Sequence, residues 1–86
     1  MKKIYKYKIP KNGLIELPHK AEVLSANSQN GEIFIWALVD VSINIIETRI
    51  FEIIGTGFEF VNSEKYNFIN TIFMDEHVFH IFEILE

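Results

Sequence analysis

The feature that most constrains this chain is the segment from Glu32 to Asp40, which is apolar on both of its alternating faces. Ile33, Ile35, Ala37 and Val39 make up one face, and Phe34, Trp36 and Leu38 the other. Successive residues of a strand point to opposite sides of a sheet, so a strand with two apolar faces belongs at the centre of a sheet or at a subunit interface. The chain has 86 residues, and a domain of that size buries only roughly 60–65% of the surface its unfolded chain exposes. It has no cysteine, which removes disulfides and thiolate metal sites as aids to stability. The core itself and self-association remain. Fifteen isoleucines, eight phenylalanines, three tyrosines and Trp36 are a large apolar load for so short a chain, and a homo-oligomer that buries part of it between subunits is expected.

The same period of two recurs along the chain. Tyr5, Tyr7 and Ile9 alternate with Lys6 and Lys8 up to Pro10, and Asn12-Gly13 is a typical short turn pair. Leu14 to Leu17 read as a second strand ended by Pro18, and Glu22 to Ser28 as a third. Asn30-Gly31 is a hairpin signal leading into Glu32 to Asp40. Residues 41–47 read as a loop, and Arg49 to Ile54 as a fifth strand stopped at Gly55-Thr56-Gly57. Asn62 to Lys65 read as a loop or a single helical turn. Tyr66 to Phe73 and Val78 to Leu85 then flank a turn at Met74 to His77. The fold class expected is all-β, or β-rich α+β with helix the weaker reading, least safely so at the end of the chain. It is a single β domain over residues 1–86, a small antiparallel sandwich or barrel of about six to seven short strands.

Charge is divided. Residues 1–11 hold five lysines and no acid, whereas all twelve acidic residues follow, and the net charge is −4. A protein that tracks DNA or RNA carries net basic charge, so no nucleic-acid polymer is expected as partner. A small anion held by a local lysine cluster fits, because a pocket's field depends on nearby charges. The longest apolar run, Ile33 to Val39, is seven residues, against the ~20 of a membrane-spanning helix. No apolar stretch follows the basic start, so neither a signal peptide nor a membrane partner is expected and the location expected is cytoplasmic.

Four features stand out as candidate sites. In Asp75-Glu76-His77-x-x-His80 the histidines would share a face of a helix but point to opposite faces of a strand. The strand-like surroundings therefore favour a polar hairpin tip and a half-buried His80 over a metal site. Gly55-Thr56-Gly57 could present backbone N–H groups to a phosphate, or supply positive φ at a strand end. Arg49 is the only arginine. Its planar fork suits a phosphate or carboxylate, and a structural ion pair is the competing reading. Trp36, with Tyr5 and Tyr7, could stack a base or simply fill a core. No nucleophile elbow and no pair of carboxylates on one rigid face is present, so no enzyme and no cofactor are expected.

The order of short segments adds a resemblance. Ile4-Tyr5-Lys6-Tyr7, Ile15-Glu16-Leu17-Pro18, Gln29-Asn30-Gly31, Trp36-Ala37-Leu38-Val39-Asp40, Arg49-Ile50-Phe51, Gly55-Thr56-Gly57, Thr71-Ile72-Phe73 and Val78-Phe79-His80-Ile81-Phe82-Glu83 together resemble a family of small phage and prophage proteins catalogued as a domain of unknown function. The series covers nearly the whole chain, and its specificity lies in the order. The family commonly has histidine after Gly-Thr-Gly, where this chain has Phe58. Small phage proteins of this kind are similar to counter-defence sponges, which sequester nucleotide immune signals such as the cyclic dinucleotides of CBASS. The resemblance implies an oligomer that binds such an anion without catalysis. Lys6, Arg49 and the amides of Gly55, Thr56 and Gly57 would take the phosphates, and Trp36 or Tyr7 a base. Gln29, Asn30 and His80 would complete the set of ligand-binding residues. A protein-directed inhibitor, or a structural phage accessory that binds a host or virion protein through apolar faces and sheet edges, is the alternative.

Overall fold

The computed structural model describes residues 1–61 and 64–85. Within them the protein is all β: β1 (Lys2–Lys8), β2 (Leu14–Pro18), β3 (Glu22–Gln29), β4 (Glu32–Asp40), β5 (Ile46–Gly55), β6 (Tyr66–Met74) and β7 (His77–Ile84). Every strand pair is antiparallel. One sheet has the order β1-β4-β3 and the other β2-β5-β7-β6, which makes a sandwich rather than a closed barrel. Asn62 and Ser63, part of the expected loop or helical turn, lie outside the described residues.

The doubly apolar strand β4 is indeed central, between β1 and β3. Its inner residues Ile35, Ala37 and Val39 are almost fully buried, as is Ala26 of β3. They pack on Ile15 and Leu17 of β2, Phe51 of β5, Ile72 of β6 and Ile81 of β7. Phe34, Trp36 and Leu38 on the other face are only half-buried, so the second sheet covers one side of β4 and leaves the other open.

Turn chemistry explains the connections. Asn30 and Gly31 have φ of 53° and 77°, and Gln29 pairs with Glu32 across them. This is the pair of positive φ angles that a two-residue hairpin turn needs to match strand twist. Asp75 (φ 57°) opens the two-residue β6–β7 turn, across which Met74 pairs with His77. Asn12-Gly13 makes a turn but not a hairpin, because β1 pairs with β4 and β2 with β5. The chain changes sheets there. Asn12 Oδ1 accepts from the Leu14 N–H at 3.0 Å, and the Gly13 carbonyl accepts from the Phe51 N–H at 2.8 Å. The expected loop at 41–47 is shorter than its polar residues imply. β5 already starts at Ile46, because Pro18 and Leu17 pair with Ile46 and Glu47 and the His19 N–H donates to the Ile45 carbonyl.

Both sheets carry a register shift, between Val23 and Ser25 in β3 and between Phe68 and Asn70 in β6. These bulges bring β3 and β6 together: the Ala26 N–H, on the open edge of one sheet, donates to Asn70 Oδ1 of the other at 2.9 Å. An edge amide is thereby satisfied across the sandwich instead of being left to pair with another chain.

Gly13 is the most exacting position in these connections. Its φ is +75°, and a Cβ there would sit 2.2 Å from the Phe51 carbonyl oxygen, whereas one at Gly31 (φ +77°) would meet nothing within 4 Å. Gly13→Ala is expected to lower unfolding stability by at least about 3 kcal/mol, and Gly31→Ala by only about 1–2 kcal/mol. Urea unfolding of both variants checks this through the two midpoints at unchanged slope.

Candidate functional site

The outer face of the β1-β4-β3 sheet is built from three rows. On β4, Phe34 and Trp36 lie on the face opposite the buried Ile33, Ile35 and Ala37, with ring centroids 6.3 Å apart and planes inclined by 55°. On β1, alternation places Lys2, Ile4, Lys6 and Lys8 beside them, with Lys6 opposite Trp36 and Lys8 opposite Phe34. On β3, the register sets Ser25 opposite Trp36 and Asn27 opposite Phe34. A central aromatic row therefore runs between a basic row and a polar row, with neighbouring rows about 4.8 Å apart.

Lys6 crosses the rows. Its Nζ lies 4.7 Å from the centroid of the Phe34 ring and donates to Gln29 Oε1 at 2.6 Å. The ammonium sits over the π face, where the ring quadrupole attracts it. Trp36, the next aromatic along the strand, has no such cation over it among the described residues. The Lys8–Glu32 ion pair (3.3 Å) at the end of the face is more than half exposed on the lysine side and adds little to stability.

The ten residues expected from the sequence to bind a ligand do not converge on one place. Lys6, Gln29 and Trp36 share the outer face of the first sheet, with Asn30 in the turn that closes its end. Tyr7 pairs with Ile35 and points the other way, against the core. Burial, and secondarily Tyr5, raises its phenol above the ordinary value. Gly55, Thr56, Gly57 and His80 lie together on the second sheet. The Gly55 carbonyl accepts from the Phe58 N–H at 3.0 Å and the Thr56 N–H donates to Val78, with Gly57 at φ 89°. The glycines thus form a turn in which two amides are already used. His80 Nε2 lies 2.7 Å from Thr56 Oγ1 and Nδ1 lies 2.9 Å from Thr71 Oγ1, so both ring nitrogens meet hydroxyls. His77 instead stacks on Phe79 at 5.9 Å.

Arg49 is inside the sandwich. Nε donates to Glu83 Oε2 at 2.6 Å, Nη2 to Glu83 Oε1 at 2.9 Å, and Nη1 to the Ala21 carbonyl. Its fork is used by a carboxylate on the neighbouring strand and by the backbone at the start of the first sheet. The hydrogen bond to Glu83 raises the guanidinium above its ordinary value against the opposing effect of burial. Clefts of about 440 and 380 Å³ flank this pair, and both are lined by Arg49, Asn67 and Glu83. The ring of acids around them (Glu22, Glu47, Glu83) makes them a poorer anion site than the lysine-rich outer face.

The sequence already set Phe34 on the face of Trp36 and pointed to the N-terminal lysines as a group, but Ser25 and Asn27 were missed as members of the outer face. Phe34 could be placed from its parity with Trp36. The β3 residues could not, because a bulge near Leu24 changes which of them face outward and bulges have no reliable signature in one sequence.

Removing Arg49 strands Glu83, whose side chain is 8% exposed. Arg49→Ala is expected to cost about 3–5 kcal/mol of stability, while anion binding per folded molecule stays within about twofold. Chemical denaturation alongside a ligand titration corrected for folded fraction reads both.

No curated protein and no solved structure matches this chain. One family profile does, over residues 1–86. A match along the whole chain shows membership: the protein belongs to the family described as a domain of unknown function, DUF7352.

Proposed function

We propose that this protein binds a nucleotide anion on the outer face of its three-stranded sheet and removes it from solution by stoichiometric binding, without turnover. The observation that carries this reading is the uncovered Trp36, flanked by the lysines of β1 on one side and the polar residues of β3 on the other. Base–aromatic stacking contributes about 1–3 kcal/mol per base, and Lys2, Lys6 and Lys8 supply the charge for phosphates. In the phage setting that the sequence resemblance implies, the ligand is a cyclic di- or oligonucleotide immune signal, and the protein is a counter-defence sponge acting as a homo-oligomer in the host cytoplasm.

The second reading, an inhibitor or accessory directed at a protein, is favoured by the outer face of the four-stranded sheet. Phe73 (73% exposed), Phe68 (55%), Leu14 (45%) and Tyr66 (44%) all lie there, around a cluster in which Phe82 meets Phe60, Tyr66 and Phe68 at 4.5–5.4 Å. An exposed apolar band of this kind marks a surface for contact with another protein. In the sponge reading, a second copy of the chain covers it.

Trp36 is the only tryptophan, so its fluorescence reports stacking directly. Titration with cyclic di- and trinucleotides is expected to quench it, and a hundredfold excess over Kd to add about 2.7 kcal/mol to apparent stability. The nucleotide should be recovered chemically unchanged. No quenching and no shift in melting temperature across the panel would sink the nucleotide reading. Light scattering at micromolar concentration is expected to give an oligomer that Phe68→Lys with Phe73→Lys converts to monomer. A wild-type monomer would favour the protein-directed reading.

A further inference from the structure

The outer face of the first sheet presents hydrogen-bond donors almost alone, the exception being the Ser25 hydroxyl opposite Trp36, which can donate or accept. Lys2, Lys6 and Lys8 can only donate, as can the Trp36 indole N–H. The two amide side chains of β3 could have offered carbonyl oxygens as well, but both oxygens are engaged. Asn27 Oδ1 accepts from the Ser28 N–H at 2.8 Å, and Gln29 Oε1 accepts from Lys6 Nζ at 2.6 Å. Their NH₂ groups carry no hydrogen bond among the described residues and are left facing outward. The acids of the same face are engaged or distant. Glu32 pairs with Lys8. Asp40 Oδ1 accepts from the Ser42 hydroxyl and N–H, and Glu22 stands opposite Leu38, past Trp36.

The geometry points to a base specificity: the face selects nucleotides whose base offers a carbonyl acceptor edge, guanine or hypoxanthine, over adenine, and Asn27 is the residue that sets the preference. This rests on the nucleotide reading above and deepens it. The three rows impose a direction on the ligand. Phosphates go to the lysines on the β1 side, the ring stacks on Trp36, and the base edge reaches the β3 side. There Ser25, opposite Trp36, can donate or accept and so serves either base, and Asn27, the next outward residue of that strand, supplies its NH₂ group. The major-groove edge of guanine carries two acceptors, N7 and O6, whereas adenine places an amino donor beside N7. A donor against the donor of Asn27 leaves both unpaired, and Asn27 cannot turn its carbonyl to meet it without giving up the Ser28 amide.

IMP and AMP differ on this edge by O6 against N6 and carry the same phosphate, so they are the minimal pair of probes, with cyclic di-GMP and cyclic di-AMP as the larger pair. Trp36 quenching is expected to show IMP binding roughly fivefold or more tighter than AMP, the scale of one net hydrogen bond. Asn27→Asp keeps an oxygen for the Ser28 N–H and turns the free end from donor to acceptor. It is expected to weaken both probes and to abolish or invert the ratio, and Asn27→Ala to bring the ratio to about 1. Equal quenching by IMP and AMP in the wild type would overturn the specificity and leave nucleotide binding standing. An IMP preference that survives unchanged in Asn27→Asp would remove Asn27 from the role. The absence of quenching by any probe would overturn both readings together.

Discussion

The two sheets are tied at one corner by the guanidinium of Arg49, and much of the molecule's geometry follows from that contact. Arg49 stands on β5 of the second sheet, pairs bidentately with Glu83 on the adjacent β7, and reaches across to the Ala21 carbonyl where the first sheet begins. With Glu83 only 8% exposed its charge has to be matched by a fixed partner, and a forked group matched on two sides holds both sides in place. At the β3–β6 edge a neutral bond does similar work, with Asn70 capping the Ala26 amide. Between these ties lies a hydrophobic core, Leu17, Ile35, Val39, Phe51 and Ile81.

Because the interior fixes which face of each strand points in, it also fixes what is shown outside. The first sheet shows a cationic and aromatic surface, and the second an aromatic and aliphatic one. A seven-stranded sandwich has two outer faces, and on the second Phe60 packs against Phe82 and Tyr66. The two surfaces differ in chemistry: one sets lysines beside Phe34 and Trp36, and the other exposes Leu14, Tyr66, Phe68 and Phe73.

Much of the fold was legible in the residues. Period-two alternation marked all seven strands, and Asn30-Gly31 marked a hairpin because its dipeptide carries its own backbone preference. A central place was one of the two positions that the apolar faces of β4 allowed, a subunit interface being the other, and the strand order puts it between β1 and β3. Strand pairing was less accessible: Asn12-Gly13 looks like any hairpin turn, and only the competition for partners, β4 for β1 and β5 for β2, shows that the chain changes sheets there. The candidate site was legible in part. Lys6, Gln29 and Trp36 were on the page as residues, but they become neighbours only through the β1–β4 and β3–β4 registers.

The sequence by itself determined the β class, the lack of disulfides and the concentration of positive charge near one strand, because these depend on composition and local period. Only the tertiary structure decided what each polar group is used for. It turned Arg49 inward onto Glu83, tied the Thr56 amide to the Val78 carbonyl, and left Trp36 half-buried between lysines and amides. The reason is physical: a group's role is set by the partner that satisfies it, and those partners lie 22 to 44 positions away in the chain.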